Sequence, residues 1–310
     1  MEAKENVRGR FAPSPSGRMH LGNALSALLA WLSAKSQGGE MLLRIEDLDP
    51  ARSRAEYAQC IMEDFRWLGL TWELRAEDQS RRGSAYEAAL ERLRGMGLVY
   101  PCYCSRDQLH AASAPHASDG RVIYAGTCRH LTEAQRNAMT KKPAMRLMLP
   151  DRQVSFCDGL QGEVTMNLQK EYGDIIIRRA DGVAAYQLAV VTDDGEEGVT
   201  QVVRGRDLLS STPVQLYLYE LLELCPPEFY HVPMLLAQDG RRLSKRDHDI
   251  DFGYLRSRFQ PEEIVGLLGW LSGLLPKWEK ISALELAAAF SWENVRREDI
   301  RVDPKQLRRP

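Results

Sequence analysis

The sequence predicts an α/β protein built on a parallel sheet, interrupted by an inserted module and followed by a mainly helical segment. Three observations carry this. Strand-like and helix-like stretches alternate over the first hundred residues, as a parallel sheet with crossover helices requires. From about 100 onward the rhythm changes to cysteines, short loops and short strands, and then the alternation returns. Beyond Asp247 apolar residues recur at helical spacing. The divisions read as 1–99 for the first half of the sheet domain, 100–183 for the insert, 184–240 for the second half, and 241–310 for a basic loop and helical segment.

Each element has its own signal. Arg8 to Phe11 reads as the first strand and leads through a Pro/Gly-rich loop into a helix near Leu21 to Ser36, with Leu25, Leu28, Leu29 and Leu32 on one buried face. Met41-Leu42-Leu43-Arg44-Ile45-Glu46 reads as the next strand. Ser53 with Glu56 three residues on is a capping-box pattern, opening a helix whose Tyr57, Ile61, Phe65 and Leu68 share a face. A helix from about Ser84 to Met96 closes at Gly97. The insert shows strands near Val164 to Leu168 and Asp174 to Arg179. The sheet resumes with strands around Ala184 to Thr192 and Thr200 to Val203, then a helix begun by Thr212 and Pro213. Pro261 starts a helix carrying Ile264, Leu267, Leu268 and Leu271, and Ser282 with Glu285 caps another.

Composition sets the outer limits. A chain of 310 residues, 44% hydrophobic and 27% charged, can bury two or three real cores, which excludes disordered and collagen-like classes. No apolar run approaches the ~20 residues of a membrane helix. The start Met1-Glu2-Ala3-Lys4-Glu5-Asn6 lacks the apolar core of a signal peptide, so a cytoplasmic protein without membrane partners is expected. Six cysteines are too few for a disulfide scaffold, and Cys102 and Cys104 sit too close for a routine bridge, so metal binding is the better question. Cys60, Cys157 and Cys225 have no such context and read as core residues. The net charge of −2 gives no global pull toward nucleic acid, although basic pairs recur at Arg81-Arg82, Lys141-Lys142, Arg178-Arg179, Arg241-Arg242 and Arg308-Arg309.

Two loops carry chemistry. The first, Arg10-Phe11-Ala12-Pro13-Ser14-Pro15-Ser16-Gly17-Arg18-Met19-His20-Leu21-Gly22-Asn23, packs prolines, glycines, hydroxyls and an imidazole ahead of an apolar helix. A helix start offers free N–H groups to an anion such as phosphate or carboxylate; the bland alternative is a connection with no ligand. The second, Gly240-Arg241-Arg242-Leu243-Ser244-Lys245-Arg246, gathers cations and a hydroxyl on one turn. It could neutralise charge developing on a triphosphate, with Lys245 the leading actor, or be a solvated basic turn.

Together these loops resemble the signatures of the class I aminoacyl-tRNA synthetases. His20-Leu21-Gly22-Asn23 resembles their His-Ile-Gly-His motif, with Asn23 in place of the second histidine. Arg242-Leu243-Ser244-Lys245-Arg246 resembles Lys-Met-Ser-Lys-Ser, keeping the central Ser244-Lys245. The string Arg10 to Gly17, then Arg44-Ile45-Glu46-Asp47-Leu48-Asp49, Tyr186-Gln187-Leu188-Ala189 and Val203-Arg204-Gly205-Arg206-Asp207-Leu208, narrows the resemblance to the glutamyl branch. It implies a Rossmann-type catalytic domain with an inserted zinc-containing α+β module and a C-terminal helical segment. It also implies a glutamate pocket at Arg10, Phe11, Ala12, Pro13, Ser14, Glu46, Tyr186 and Arg204, and ATP held by His20, Gly22, Asn23, Ser244 and Lys245. Arg10 and Arg204 would hold carboxylates, Ser14 would add a hydroxyl contact, Glu46 would face the ammonium and Tyr186 would supply a wall and one hydrogen bond. His20 and Lys245 would stabilise the phosphates, and Mg2+ would accompany the ATP.

Cys102-Tyr103-Cys104 followed by Tyr124-Ala125-Gly126-Thr127-Cys128 offers three thiolates to zinc, and tetrahedral coordination requires a fourth donor. Bare chemistry nominates His116, His110 or His130; the resemblance implies Tyr124 instead. Lying apart from both signature loops, such a zinc would be structural.

The chain stops soon after the helical segment, where tRNA-charging glutamyl enzymes continue into an anticodon-binding region. With the Cys-x-Cys…Tyr-x3-Cys pattern, that length resembles the glutamyl-Q tRNA(Asp) synthetases. Such an enzyme would activate L-glutamate with ATP, without tRNA. It would then transfer glutamate to the cyclopentenediol of queuosine at the wobble position of tRNA(Asp), meeting the anticodon stem-loop as a monomer. The alternatives are a truncated glutamyl-tRNA synthetase charging the tRNA 3′ end, and a catalytically silent tRNA-binding regulator.

Overall fold

The computed structural model describes residues 6–105, 123–241 and 252–303. Five short strands form the base of the site. β1 (Arg8–Phe11) pairs in parallel with β2 (Glu40–Leu43), and β2 with β3 (Leu74–Arg75). Between them run α1 (Leu21–Ser36) and α2 (Ala55–Trp67), and after β3 comes α3 (Gly83–Gly95). The insert follows: β4 (Val99–Cys102), the short α4 (Glu133–Asn137), β5 (Ala144–Leu147), the hairpin β6 (Gln153–Asp158) and β7 (Gly162–Asn167), and β8 (Ile175–Arg178). β4, β5 and β8 form an antiparallel sheet, with β5 central.

The chain then returns to the parallel sheet through α5 (Tyr186–Glu196), β9 (Gln201–Gly205), α6 (Thr212–Leu222) and β10 (Glu228–Val232), with β9 and β10 parallel. Thr200, just ahead of β9, locks to the start of β1: its N–H donates to Arg8 O at 3.0 Å and its Oγ1 accepts from Arg8 N at 2.8 Å. The two halves of the interrupted sheet therefore meet edge to edge. The short β11 (Leu235–Leu236) leads toward α7 (Phe252–Arg258), α8 (Pro261–Ser272) and α9 (Ala283–Ala288), and pairs in parallel with β12 (Ile300–Arg301).

Three expectations need correction. The stretch Ala184 to Thr192 is not a strand; from Tyr186 it is the helix α5, whose residues from Leu188 to Asp194 are all buried. A helix covered on nearly every side loses the 3.6-residue alternation, and its apolar run then reads like a buried strand. The capping box at Ser53 does not form: Arg54 is the N-cap of α2, and its N–H donates to Pro15 O at 3.0 Å, tying the helix entrance to the first loop. α1 is also buried almost all round, from Ala24 and Leu25 through Trp31 and Ser33, because one core packs it both on the sheet and under the C-terminal helices. Of the cysteines read as core, Cys157 and Cys225 are exposed; Cys157 lies on the outward face of the β6 alternation. Among the described residues no helix is long and apolar enough to cross a membrane.

Candidate active site

At the end of β1 the chain does not leave the sheet at once. Arg44 N donates to Phe11 O at 2.9 Å and Glu46 N to Pro13 O at 3.0 Å, so the segments beyond β1 and β2 keep running side by side. That register sets Glu46 against the first loop. The loop, Glu46, the start of α5 and the end of β9 enclose a cleft of about 630 Å³. Every residue of the expected glutamate pocket lines it: Arg10, Phe11, Ala12, Pro13, Ser14, Glu46, Tyr186 and Arg204. So do His20, Gly22 and Asn23.

One end of the cleft is a helix cap. His20 is the N-cap of α1; its Nδ1 accepts from Asn23 N and Asn23 Oδ1 accepts from His20 N, both at 3.3 Å. Asn23 thus uses its carboxamide oxygen to hold His20. With Nδ1 accepting, the neutral ring carries its proton on Nε2, a donor suited to phosphate. A Cβ at Gly22 would stand 3.2 Å from His20 Cε1, tighter than ordinary contact, so glycine spares the imidazole a push. Ser244 and Lys245 lie outside the described residues. The segment leading to them is a tight turn, with Gly240 at φ +83° and Ala237 N donating to Arg241 O at 2.8 Å, and Met234 and Leu235 just before it line the cleft.

The other end adjoins a set of buried charges. Arg44, fully buried, pairs with Asp194 at 2.7 Å, Glu197 at 2.5 Å, Glu46 at 3.4 Å and Asp193 at 3.5 Å. Arg10 faces Asp194 at 3.4 Å. Burial pushes the Glu46 carboxyl up from its ordinary range, opposed by Arg44 and Arg10. The Asp194 carboxyl is held low despite burial, because Arg44 and Arg10 stand beside it. Arg204 differs: its Nε donates to His231 Nε2 at 3.0 Å and its NH2 to Thr212 Oγ1 and Gln215 Oε1, both at 2.8 Å. Tyr186, the first residue of α5, forms a partly exposed wall, and Ser14 is exposed at the rim.

Sequence reasoning missed the supports: Asp193, Asp194, Glu197, Thr212, Gln215, His231 and Asp158. A signal existed for the first group, since the acidic run Asp193-Asp194-Gly195-Glu196-Glu197 follows an apolar stretch and asks for cationic partners. Arg44 and Arg82 are those partners, with Arg82 Nε 2.7 Å from Asp193 Oδ1.

On the insert, away from the cleft, the sulfurs of Cys102, Cys104 and Cys128 lie within 4.8 Å of one another and could hold a metal ion. Cys104 Sγ is 3.6 Å from Cys128 Sγ, and Tyr124 Oη is 3.4 Å from Cys102 Sγ and 3.7 Å from Cys104 Sγ. A tetrahedral ion with bonds of about 2.3 Å to sulfur needs donor separations of about 3.8 Å, so the four groups fit one. Burial pushes the Tyr124 phenol far up, and it pushes Cys104 up to about 11 together with the neighbouring sulfurs. Cys102 is lowered despite burial, by hydrogen bonds that include Tyr124 and Arg146. Of the histidines nominated for the fourth position, His130 is exposed and is absent from this group, while His110 and His116 lie outside the described residues.

The model of the class I tRNA synthetase (E and Q) catalytic domain matches residues 6–306. A glutamyl-Q tRNA(Asp) synthetase of Nitratidesulfovibrio vulgaris is 49% identical, with 87% of each chain covered. Another, of Symbiobacterium thermophilum, is 47% identical over 96% of this chain and 97% of that one. The chain belongs to the glutamyl-Q tRNA(Asp) synthetase family of class I synthetases. Among solved structures, a glutamate tRNA ligase of Elizabethkingia meningosepticum in complex with its amino acid superposes with a TM-score of 0.83 at 27% identity. The match covers 98% of this chain and 68% of that one. The parallel-sheet domain described above is thus the ligase catalytic domain of class I synthetases.

Proposed function

We propose that the protein activates L-glutamate with ATP, in the absence of tRNA, and transfers the glutamyl group to the cyclopentenediol of queuosine at the wobble position of tRNA(Asp). The observation that carries this is the single cleft joining a cation-lined amino-acid end to a capped helix start. Arg204 and Arg10 hold the two carboxylates of glutamate, with Ser14 at the rim, and Glu46 accepts from its ammonium. An oxygen of the α-carboxylate attacks the α-phosphorus of ATP, and the bond to pyrophosphate breaks. His20 and Lys245 stabilise the phosphate charge, with Gly22, Asn23 and Ser244 about the nucleotide. Magnesium, bound with ATP, adds neutralising charge. A queuosine hydroxyl then attacks the glutamyl carbonyl and AMP leaves; no protein nucleophile is needed. Zinc at Cys102, Cys104, Cys128 and Tyr124 braces the insert.

Family membership supports the acceptor: both relatives described above are named for glutamyl-Q tRNA(Asp). The test is labelled glutamate with ATP and purified tRNAs, with and without queuosine. Label on queuosine-containing tRNA(Asp), together with glutamate-dependent pyrophosphate exchange in the absence of tRNA, is expected. Label at the 3′ end of tRNA(Glu) would indicate a truncated charging enzyme, and absence of exchange a silent regulator.

A further inference from the structure

Arg10 and Arg44 pair directly with carboxylates of the protein itself, whereas among the described residues Arg204 makes no direct ion pair and feels Asp194 only from further away. Among the described residues, every hydrogen-bond acceptor of its buried guanidinium is neutral: His231, Thr212 and Gln215. The acceptors themselves are oriented from further away. His231, fully buried, has its Nδ1 2.6 Å from Asp158 Oδ2. Asp158 is held in turn by N–H groups of Leu160, Gln161 and His231 at 3.0, 2.8 and 3.2 Å. On the other side Gln215 Nε2 donates to Gln187 Oε1 at 2.7 Å, and Gln187 Nε2 to Tyr172 Oη at 2.9 Å. Both lines reach the insert, at Asp158 of β6 and at Tyr172.

The chemistry of discrimination gives this arrangement a purpose. Glutamate and glutamine have nearly the same shape and differ in charge. A guanidinium already neutralised by a protein carboxylate would distinguish them poorly, while one held by neutral acceptors keeps its charge for the ligand. His231 can accept from Arg204 only if its proton sits on Nδ1, and Asp158 is the group that holds it there. A ring protonated on Nε2 would turn an N–H toward an N–H.

We propose that Asp158 and His231 are positioning residues that hold the Arg204 guanidinium ready for the side-chain carboxylate of the substrate, the group in which glutamate and glutamine differ, and so set the preference for glutamate over glutamine. This rests on the glutamate-activation reading above. Three neighbours of Arg204, and Gln187 behind one of them, thus share one task. His231 and Thr212 hold it, and Gln215, itself oriented by Gln187, holds it as well.

The experiment is pyrophosphate exchange by the full chain with glutamate or glutamine at varied ATP, for Asp158→Asn, His231→Phe and His231→Gln. His231→Phe and Asp158→Asn are expected to raise KM for glutamate about tenfold, the scale for a lost hydrogen bond to a buried charge. KM for ATP should hold, and the glutamate-to-glutamine ratio of kcat/KM should fall by a similar factor. The Gln variant, whose carboxamide oxygen can accept from Arg204, should recover part of the loss. Equal rises in both KM values, or an unchanged ratio in folded variants, would overturn the proposal. In the unsubstituted protein, nitrogen NMR should find the His231 ring neutral with its proton on Nδ1; an Nε2–H or protonated ring overturns the proposal even if the variants fail to fold. If the unsubstituted protein shows no glutamate-dependent exchange, the activation reading fails, and the NMR result still judges the relay.

Discussion

At the scale of single residues, Glu46 makes the sharpest claim. Accepting an ammonium requires the ionised carboxylate, and burial raises the Glu46 carboxyl above its ordinary range. As pH falls through that raised range the acceptor is lost. KM for glutamate should therefore climb on acidification through the range above that in which an ordinary carboxylate takes up its proton. Glu46→Gln should raise KM about ten- to a hundredfold and flatten the profile; a wild-type KM that stays level over this range speaks against the role. Lys245→Ala should slow adenylation by about 100-fold or more, the scale for removing one charge-stabilising donor. Near-normal pyrophosphate exchange in the folded variant would count against Lys245. The residues that line the cleft were named by motifs and the family they resemble. Their supports were not. Asp158 and His231 stand 73 positions apart and meet only because β6 of the insert returns to β10 of the sheet.

At the scale of elements, α1 shows what local pattern can and cannot say. Its leucines announce a buried helix, and the loop ahead of it announces a start. They do not announce that Ser33, on its far turn, is fully buried as well. Ser33 Oγ donates to Gln201 Oε1 at 2.6 Å and accepts from Trp292 Nε1 at 3.0 Å, joining α1 to β9 and to the segment after α9. Ser33→Ala leaves the buried Gln201 and the half-buried Trp292 without this partner and should cost about 1–3 kcal/mol, read as a lower denaturant midpoint at unchanged slope. A midpoint equal to wild type would show that water or rearrangement replaces the hydroxyl. α5 teaches the converse lesson: a helix buried on nearly all sides conceals its period, and its acidic end acquires meaning only once Arg44 and Arg82 are beside it.

At the scale of the whole molecule, the insert carries two separable parts. The β6–β7 hairpin lies against the sheet domain, where Gly159 N donates to Phe229 O at 2.8 Å. The cysteine group forms a small core of its own with Tyr100 and Tyr124. Cys104→Ser, or a strong chelator, should therefore remove one zinc per chain and lower the melting temperature, while glutamate-dependent exchange persists. Intact melting behaviour with no bound zinc would refute the structural role. The C-terminal helices are not separable in this way, for Phe252, Leu255, Ile264 and Leu268 enter the same core as Leu25 and Leu28 of α1.

Local sequence was enough for the elements with clear periodicity or caps and for the interrupted α/β plan, because each depends on chemistry within a few neighbouring positions, and motifs resembling those of a family named residues that line the cleft. Tertiary structure decided which groups share a cleft, which buried charges neutralise one another and which do not, and that α5 is a helix. Those outcomes depend on contacts between segments distant in the chain, and the energy of a buried charge or a covered helix face is set by what surrounds it in space.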